Sequence, residues 1–298
     1  MDFDLTASQQ ARLDRLGELA RLAAPARGGL AGGHDQQLAA AVSADATLVG
    51  GDLDVLDRVL LVEEASRLGV EFSPTALLLV APIAGIAVNR GPVALVYGSA
   101  HRAVRDGGHA TSAIDVSGDV PLSAPVGELD RRPVPSGLLH HCGVVTTSGF
   151  EPSAWACDSP VGSVYQLGLA AEIAGAAQAA IAKVAGYLNE RVAFGQPLGA
   201  LQALRHRLSE RAVDAAGTTA LVRYAAFHLD DASVAAAVAY ATSTASASPP
   251  ELHQLCGARG FVTDFGLSRW TMLMQALRAE LGGAYDSAVR YAEARWAG

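Results

Sequence analysis

The sequence predicts a mainly α-helical protein in three parts: an N-terminal helical domain (residues 1–90), a small β domain (91–159) and a C-terminal four-helix bundle (160–298). Half of the 298 residues are hydrophobic but only 6% are aromatic, and alanine dominates. Alanine has the highest helix propensity and allows helices to approach closely. Between residues 91 and 150, short β-rich segments and paired glycines interrupt the helical pattern.

In the first domain, apolar residues at spacings of three and four predict helices. Leu13, Leu16 and Leu19 predict a helix over 6–24 that Pro25 stops. A second helix is expected over 54–68. Ser73 and Pro74 have the residue types of an N-cap and a first helical position, which predicts a third helix after them.

The second and third domains differ in the length of their expected elements. Strands are expected at 93–97, 113–116, 120–122 and 143–147, paired in an antiparallel manner. After Pro160 long helices are expected at 161–190, 199–229, 233–247 and 264–296, the last broken at Gly282-Gly283. Short connections between them predict a four-helix bundle.

Composition argues against several classes of function. A formal charge of −8 and a pI of about 5.4 disfavour nucleic acid or an anionic membrane as a partner. The three cysteines have neither disulfide nor zinc spacing, so no metal is expected. The most apolar run, residues 75–88, is too short to span a bilayer. The acidic N-terminus has no signal pattern, and we expect a cytoplasmic protein.

One segment inserts unusual residues into the alanine-rich helical sequence. It runs over 190–199 and contains Arg191, Phe194 and a Gly-Gln-Pro turn, and Gln202 follows it. The planar fork of arginine binds phosphate oxygens bidentately. Phenylalanine can cover an aromatic ring, and glutamine can donate to a carbonyl or hydroxyl. This combination predicts a site for a flat, charged ligand.

A second such segment, residues 254–261, begins at Gln254 and contains Gly257, Ala258 and Gly260. Glycines there let a backbone approach a phosphate or ribose closely and leave N–H groups free to donate. The alternative is a glycine C-cap at the end of a helix.

Together these segments resemble the C-terminal half of an acyl-CoA dehydrogenase, and residues 63–69 resemble the EELGR helix of the same family. The resemblance implies FAD as cofactor, with its adenosine pyrophosphate held across a subunit interface. Ala258 stands at the second glycine of the family pattern Gln-x-x-Gly-Gly-x-Gly-Phe. The residues assigned to FAD are Arg191, Phe194, Gln202, Gln254, Gly257 and Ala258.

The family removes the α-proton of an acyl thioester with a glutamate. The usual position of that base falls on Leu281, with Glu280 one residue earlier, and the family's other position falls on Tyr165. Tyrosine, which ordinarily ionises near pH 10, is a poor base for this step. We interpret Glu280 as a solvated carboxylate at a helix end, with general base as the alternative, and assign no catalytic residue.

The β region also lacks the TEPGAGSD-like loop and the WITNG-like strand that cover the flavin in the family. We therefore predict a degenerate, FAD-supporting subunit of an actinobacterial heterotetrameric (α2β2) acyl-CoA dehydrogenase. A second, full-length subunit is expected to supply the glutamate and bind most of the acyl-CoA. By analogy with the resembled α2β2 enzymes, the substrate is a steroid side-chain CoA thioester in lipid metabolism.

Two alternatives remain open from the sequence. The chain could be a complete, short, homo-oligomeric acyl-CoA dehydrogenase with Glu280 as its base. It could also be a structural homologue that stabilises a partner without contacting flavin.

Overall fold

The computed structural model describes residues 4–23, 36–86, 92–97, 103–127, 130–134, 142–146 and 149–296. The predicted fold class is confirmed: N-terminal helices, a region of short strands and a C-terminal helical bundle follow one another along the chain. The central part of the β domain lies partly outside the described residues.

Four helices open the chain. The sequence predicted the first and last of them to within two residues, and gave no prediction for the two short helices between them. Asp54 caps the last one, accepting a hydrogen bond from the Asp57 N–H at 2.7 Å. The four are α1 (Ala7–Ala23), α2 (Gln36–Ala44), α3 (Ala46–Val49) and α4 (Val55–Arg67).

The helix expected after Ser73-Pro74 has an unexpected form. It is a π-helical turn over Thr75–Val80 that passes into a short helix, α5 (Ala81–Ile83). All six residues of the π-helical turn are buried, and α6 (Val161–Glu190), the first helix of the bundle, packs beside it. A π-turn places an extra residue per turn and occurs frequently at functional sites.

The β domain forms two small sheets. One has the strand order β1-β3-β4-β7 and the other β2-β6-β5. The strands are β1 (Val93–Val96), β2 (Ala103–Arg105), β3 (Ser112–Asp115), β4 (Leu122–Pro125), β5 (Arg131–Pro133), β6 (Cys142–Val145) and β7 (Glu151–Pro152). The expectation of purely antiparallel pairing was wrong for β1 and β3, which are parallel because β2 crosses to the other sheet between them.

The bundle agrees closely with the prediction. After α6 come the hairpin strands β8 (Val192–Ala193) and β9 (Gln196–Pro197), and then α7 (Gln202–His228), α8 (Asp231–Cys256), α9 (Ser268–Glu280) and α10 (Gly283–Trp296). The predicted break at Gly282-Gly283 is present, and both glycines have the positive φ that ends α9.

Helix α8 continues nine residues beyond the predicted end at residue 247, through Pro249 and Pro250. Proline lacks an N–H, so Pro249 cannot donate to the carbonyl of Ala245 four residues earlier. The side-chain amide of Gln275 on α9 donates to that carbonyl instead, at 2.7 Å. Burial of Pro249 and its neighbours against the bundle holds the rest of the helix in place.

Helix α6 is the centre of the core. Among the described residues it is the one helix long and apolar enough to cross a membrane, and 72% of its most apolar window is buried inside the protein. Its close contact with α4 depends on Gly175, because a Cβ there would overlap the carbonyl oxygen of Glu63. Ser66 of α4 donates to the Glu172 carbonyl oxygen at 2.6 Å in the same contact.

We expect Gly175→Ala to lower the free energy of unfolding by about 1–3 kcal/mol, because the added methyl forces α4 and α6 apart. Gly186→Ala on the same helix is the matched control, since a Cβ there meets no atom within 4 Å. It should stabilise by about 0.5–1 kcal/mol, the helix-propensity gain of alanine over glycine. Urea unfolding followed by circular dichroism measures both. Equal effects of the two changes would contradict this account of the contact.

Candidate functional site

A cavity of about 320 Å³ lies between the β domain and the bundle. Strands β1, β2 and β6 form one side, and helices α6 and α9 form the other. Most of the lining is aliphatic or aromatic, and two of the lining side chains carry a charge. The lining residues are Leu95, Tyr97, Ala103, Val104, Arg105, Cys142, Tyr165, Ala276, Ala279 and Glu280.

A buried ion pair forms the inner wall of this cavity. Arg105 of β2 donates from Nη1 and Nη2 to the two carboxylate oxygens of Glu172 on α6, at 2.7 and 3.1 Å. The Glu172 side chain is fully buried and that of Arg105 is 6% exposed. Glu172 also accepts a hydrogen bond of 2.6 Å from the Thr75 hydroxyl in the π-helical turn. The pair therefore joins the β domain, the bundle and the N-terminal domain.

Glu280 is not the solvated carboxylate that the sequence suggested. It lies at the end of α9, and its side chain is 27% exposed, lining the cavity. One of its oxygens accepts from Tyr165 Oη at 2.6 Å and the other from Arg105 Nε at 3.2 Å. The interpretation was wrong because it treated Glu280 as a local helix end and ignored groups that the fold brings to it.

Tyr165 acts here as a hydrogen-bond donor. Burial and the neighbouring Glu280 carboxylate raise the pKa of Tyr165 well above its ordinary value, so the hydroxyl stays protonated. The ring stacks on that of Tyr97, with 5.6 Å between centroids. Tyr165, at one of the family's two base positions, thus donates to Glu280, which lies one residue before the other position, Leu281.

Asp106, next to Arg105, is a buried carboxyl that the sequence analysis missed. Its Oδ2 accepts from the Ser73 N–H at 2.8 Å, and its φ of 61° is a conformation that aspartate tolerates better than most residues. Burial raises the pKa of Asp106 to about 7, although the Ser73 N–H and Arg105 oppose that shift. Asp106 is therefore partly protonated at neutral pH.

This raised pKa predicts a pH dependence of stability. Between pH 3.8, the ordinary pKa, and about pH 7, the folded protein keeps a proton that the unfolded chain releases. The free energy of unfolding should fall as pH rises through this window, by up to about 1.4 kcal/mol per pH unit. Asp106→Asn, which keeps the acceptor and tolerates the positive φ, should remove that slope. Identical slopes for both proteins in urea titrations would contradict the assignment.

The first predicted FAD segment forms an outward-pointing hairpin. Arg191 ends α6, its N–H bonded to the Tyr187 carbonyl, and strands β8 and β9 follow. Phe194 and Gly195 form the tight turn with φ values of 54° and 78°, which leaves the Phe194 side chain 90% exposed. Arg191 is exposed, and no side-chain hydrogen bond or ion pair to it occurs within the described ranges. Gln202 is the first residue of α7 rather than one turn into it, and it is also exposed.

The second segment follows α8. Gln254 lies in the last turn of that helix, and Gly257 ends it with a φ of 57°. A short 3-10 turn over Gly257–Phe261 follows, so the C-cap alternative describes the local geometry correctly. Gln254, Gly257 and Ala258 are all exposed.

Phe265 connects helix α6 with the turn after α8. Its ring makes an edge contact with Tyr187 of α6 at 5.4 Å between centroids. Lys183 Nζ and the Arg259 guanidinium lie 5.0 and 5.6 Å from the same ring. The end of α6 and the turn after α8 therefore adjoin, and two cationic side chains, Lys183 and Arg259, are exposed there. Such a donor set fits the phosphates of FAD. Among the described residues, no three His, Cys, Asp or Glu side chains converge as metal ligands would.

Comparison with known proteins relates this chain to acyl-CoA dehydrogenases. Residues 164–295 match the family model of the acyl-CoA dehydrogenase C-terminal domain. A relative, acyl-CoA dehydrogenase IpdE2 of Mycobacterium tuberculosis, is 28% identical over 235 residues, which are 74% of this chain and 72% of the relative.

Solved structures share the fold along almost the whole chain. Butyryl-CoA dehydrogenase from Megasphaera elsdenii has a TM-score of 0.78 at 17% identity, covering 99% of both chains. The ChsE4-ChsE5 complex from Mycobacterium tuberculosis has 0.75 at 17%, covering 97% of both. The Tcur3481-Tcur3483 steroid ACAD has 0.73 at 18%, covering 96% of this chain and 98% of that one. Residues 164–295 thus match the C-terminal domain of acyl-CoA dehydrogenases, and the chain as a whole shares the fold of these solved structures.

Proposed function

We propose that this chain is the FAD-supporting subunit of a heteromeric, α2β2 acyl-CoA dehydrogenase that introduces an α,β double bond into an acyl-CoA thioester. A second, full-length subunit supplies the general base and the β domain that covers the flavin, and binds most of the acyl-CoA. This chain contributes contacts to the adenosine pyrophosphate across the interface.

One contrast carries the proposal. The residues suited to FAD all point to solvent: Arg191, Phe194, Gln202, Gln254, Gly257 and Ala258. The carboxylate best placed to act as a base, that of Glu280, already has a hydrogen-bond donor on each oxygen. A general base must be positioned on the proton that it takes, and these two bonds instead hold the Glu280 carboxylate against Tyr165 and Arg105. The chain is therefore equipped to hold a cofactor for another subunit rather than to complete the reaction alone.

When bound, FAD supplies the acceptor for the hydride that leaves the β-carbon. The guanidinium of Arg191 binds phosphate oxygens with two parallel N–H groups. Phe194, exposed at the tip of its hairpin, covers an aromatic ring of the cofactor. Gln202 and Gln254 donate hydrogen bonds, and the open backbone at Gly257, where a Cβ would meet no atom within 4 Å, admits a close approach.

The outer face of the bundle supports the proposed assembly. A groove of about 540 Å³ between α6 and α7 is lined largely by small and aliphatic residues such as Ile181, Ala212 and Ala216. On the same helix α7, Val213 and Phe227 are 66% and 62% exposed. Large exposed apolar area is typical of a protein surface that a partner covers. Two structural neighbours, the ChsE4-ChsE5 complex and the Tcur3481-Tcur3483 steroid ACAD, each combine two different chains. This similarity favours a heteromer that acts on a steroid side-chain CoA.

Reconstitution tests the assignment. The chain expressed alone should bind little FAD and oxidise no acyl-CoA, and both properties should appear on co-expression with a full-length dehydrogenase encoded beside it. Size-exclusion chromatography with light scattering should show a mass of two copies of each chain. Full flavin content and activity in the chain alone would refute the supporting role. A stable complex that keeps its full flavin content when Arg191 is replaced by alanine would favour the alternative of a structural homologue.

A second candidate is a complete homo-oligomeric dehydrogenase with Glu280 as base, and one observation favours it: Glu280 opens on a cavity large enough for a ligand. Glu280→Gln separates the two. Under our proposal the active complex keeps nearly all of its turnover, because the glutamate of the second subunit takes the proton. Loss of a general base would lower turnover by roughly 10²–10⁴-fold with flavin content and folding intact. A decrease of that size would select the second candidate.

A further inference from the structure

We propose that helix α7 pairs in an antiparallel manner with α7 of a second copy of this chain, around a two-fold axis at Ala216. This contact goes beyond the function proposed above, since it concerns how two copies of the same chain meet. It requires neither FAD nor the second, full-length subunit. It can therefore be tested on the chain alone and separately from the supporting role.

The outer side of α7 carries a row of exposed or half-buried residues that continues for about six turns. Successive members are three or four residues apart, so they lie on one face of the helix. Beside the row, Val213 and Tyr224 are 66% and 42% exposed. We call this set the α7 row, and its members are Arg205, Ser209, Ala212, Ala216, Ala220, Arg223 and Phe227.

The α7 row is arranged symmetrically about Ala216. A two-fold interface between identical chains must be self-complementary, because residue i of one chain meets residue j of the other and j meets i. An antiparallel pair of α7 helices centred on Ala216 meets this condition with every member of the row. The other members form pairs at four, seven and eleven residues to either side: Ala212 with Ala220, Ser209 with Arg223, and Arg205 with Phe227.

The two outer pairs bring together groups that attract each other. Arg205 is exposed and would lie against the Phe227 ring of the second copy, and a guanidinium binds the face of an aromatic ring. Arg223 donates to Glu63 from Nε and Nη2, and among the described residues its Nη1 makes no hydrogen bond. Nη1 can therefore donate to the Ser209 hydroxyl opposite. A parallel pair would instead put each arginine against its own copy, and like charges repel.

The centre of the α7 row lets two helices approach closely. Small side chains permit helix axes to come as near as about 8 Å. The groove of about 540 Å³ between α6 and α7 adjoins Ala212, Ala216 and Ala220, and Ile181 of α6 extends its apolar surface. A single chain leaves this surface in water, and a second α7 removes it from water on both copies.

Cysteine cross-linking tests the arrangement. Ala216→Cys should form an intermolecular disulfide under mild oxidation, because the axis brings both copies of position 216 together. Ala212→Cys alone should not, since its second copy would lie opposite Ala220, about 12 Å along the helix, and a disulfide requires Cα atoms within about 7 Å. Ala212→Cys and Ala220→Cys chains, co-expressed with different tags, should link to each other. The unsubstituted chain, with its three native cysteines, is the control.

Light scattering on the purified chain measures the association itself. The chain alone should have twice its mass of 30.6 kDa. Ala216→Glu places two carboxylates at the axis and should raise the dissociation constant of the dimer at least about a hundredfold. Ala216 is exposed, so circular dichroism should show an unchanged helix content. Ala247→Glu, at an exposed alanine of α8, is the matched control and should remain dimeric. A dimer that Ala216→Glu leaves intact would overturn the proposal.

The remaining outcomes distinguish this contact from the proposed function. A chain that is monomeric at micromolar concentration, yet forms a flavin-containing complex with the second subunit, would overturn the α7 pairing and leave the supporting role intact. Cross-links from Ala216→Cys to the second subunit alone would show that this subunit covers the row. Cross-linking of Ala212→Cys to itself would show a parallel pair and equally contradict the proposal. The expected cross-links in a complex without flavin would support the pairing and refute the supporting role.

Discussion

Replacing Glu172 by glutamine should cost about 3–5 kcal/mol of unfolding free energy, the largest stability effect we expect from one side chain in this protein. Glu172 is fully buried and holds both ends of the Arg105 fork. Glutamine has the same shape but no charge, and its amide group would place a donor against a guanidinium that is itself only a donor. Arg105 would then be a buried cation with only the more distant Glu280 opposite.

Urea unfolding followed by circular dichroism measures this loss of stability. Two further variants serve as comparisons for its size. Glu18→Gln removes one of the two carboxylate partners of the exposed Arg15 and should cost less than about 1 kcal/mol. A double change, Arg105→Leu with Glu172→Leu, removes both charges and should regain most of the lost stability. Similar losses for Glu172→Gln and Glu18→Gln would show that burial of the pair does not matter.

The second large effect concerns the cofactor. Arg191→Ala in the assembled complex should weaken flavin retention by about 1.5–3 kcal/mol, because it removes a charge-assisted hydrogen-bonded contact to phosphate. That range corresponds to roughly 10- to 150-fold in the dissociation constant. Flavin absorbance per complex after dilution and gel filtration measures the loss.

Arg191→Lys should restore only part of that affinity, since lysine carries the charge but lacks the planar fork. Arg21→Ala, at an exposed arginine of α1, serves as the control and should leave flavin content unchanged. Because Arg191 is exposed and ends a helix, its replacement should leave the free energy of unfolding nearly unaffected. If the Arg191→Ala complex retained all of its flavin, the assignment of Arg191 to the FAD site would be wrong.

Helices were predictable from the sequence because their signals are local. Leucine spacing, the Asp54 cap and the Gly282-Gly283 pair all act within a few residues, and the structure places helix ends close to them. The end of α8 was predicted wrongly because proline is a local signal that a distant residue, Gln275, compensates. The parallel pairing of β1 with β3 was missed for a similar reason, since strand order is set by non-local contacts.

The two parts of the site differ in the same way. The FAD segments are contiguous in sequence, so residue types and spacing were enough to single them out. In the cavity wall, Arg105 contacts Glu172 and Glu280, which follow it in the sequence by 67 and 175 positions. No periodicity of the sequence connects residues so far apart. One signal was available: Glu172 is the only charged residue between Val161 and Ala182 in the bundle's most apolar helix. A lone carboxylate in such a helix needs a buried partner.

The hydrogen bond from Gln275 to Ala245 has an evolutionary consequence. The Gln275 side-chain NH2 group replaces the helical donor that Pro249 cannot supply to the Ala245 carbonyl. An ancestor that acquired the proline first would have carried an unsatisfied carbonyl, and one that acquired the glutamine first would have lost nothing. We therefore expect the two positions to change together among related sequences, with the glutamine preceding the proline in order of descent.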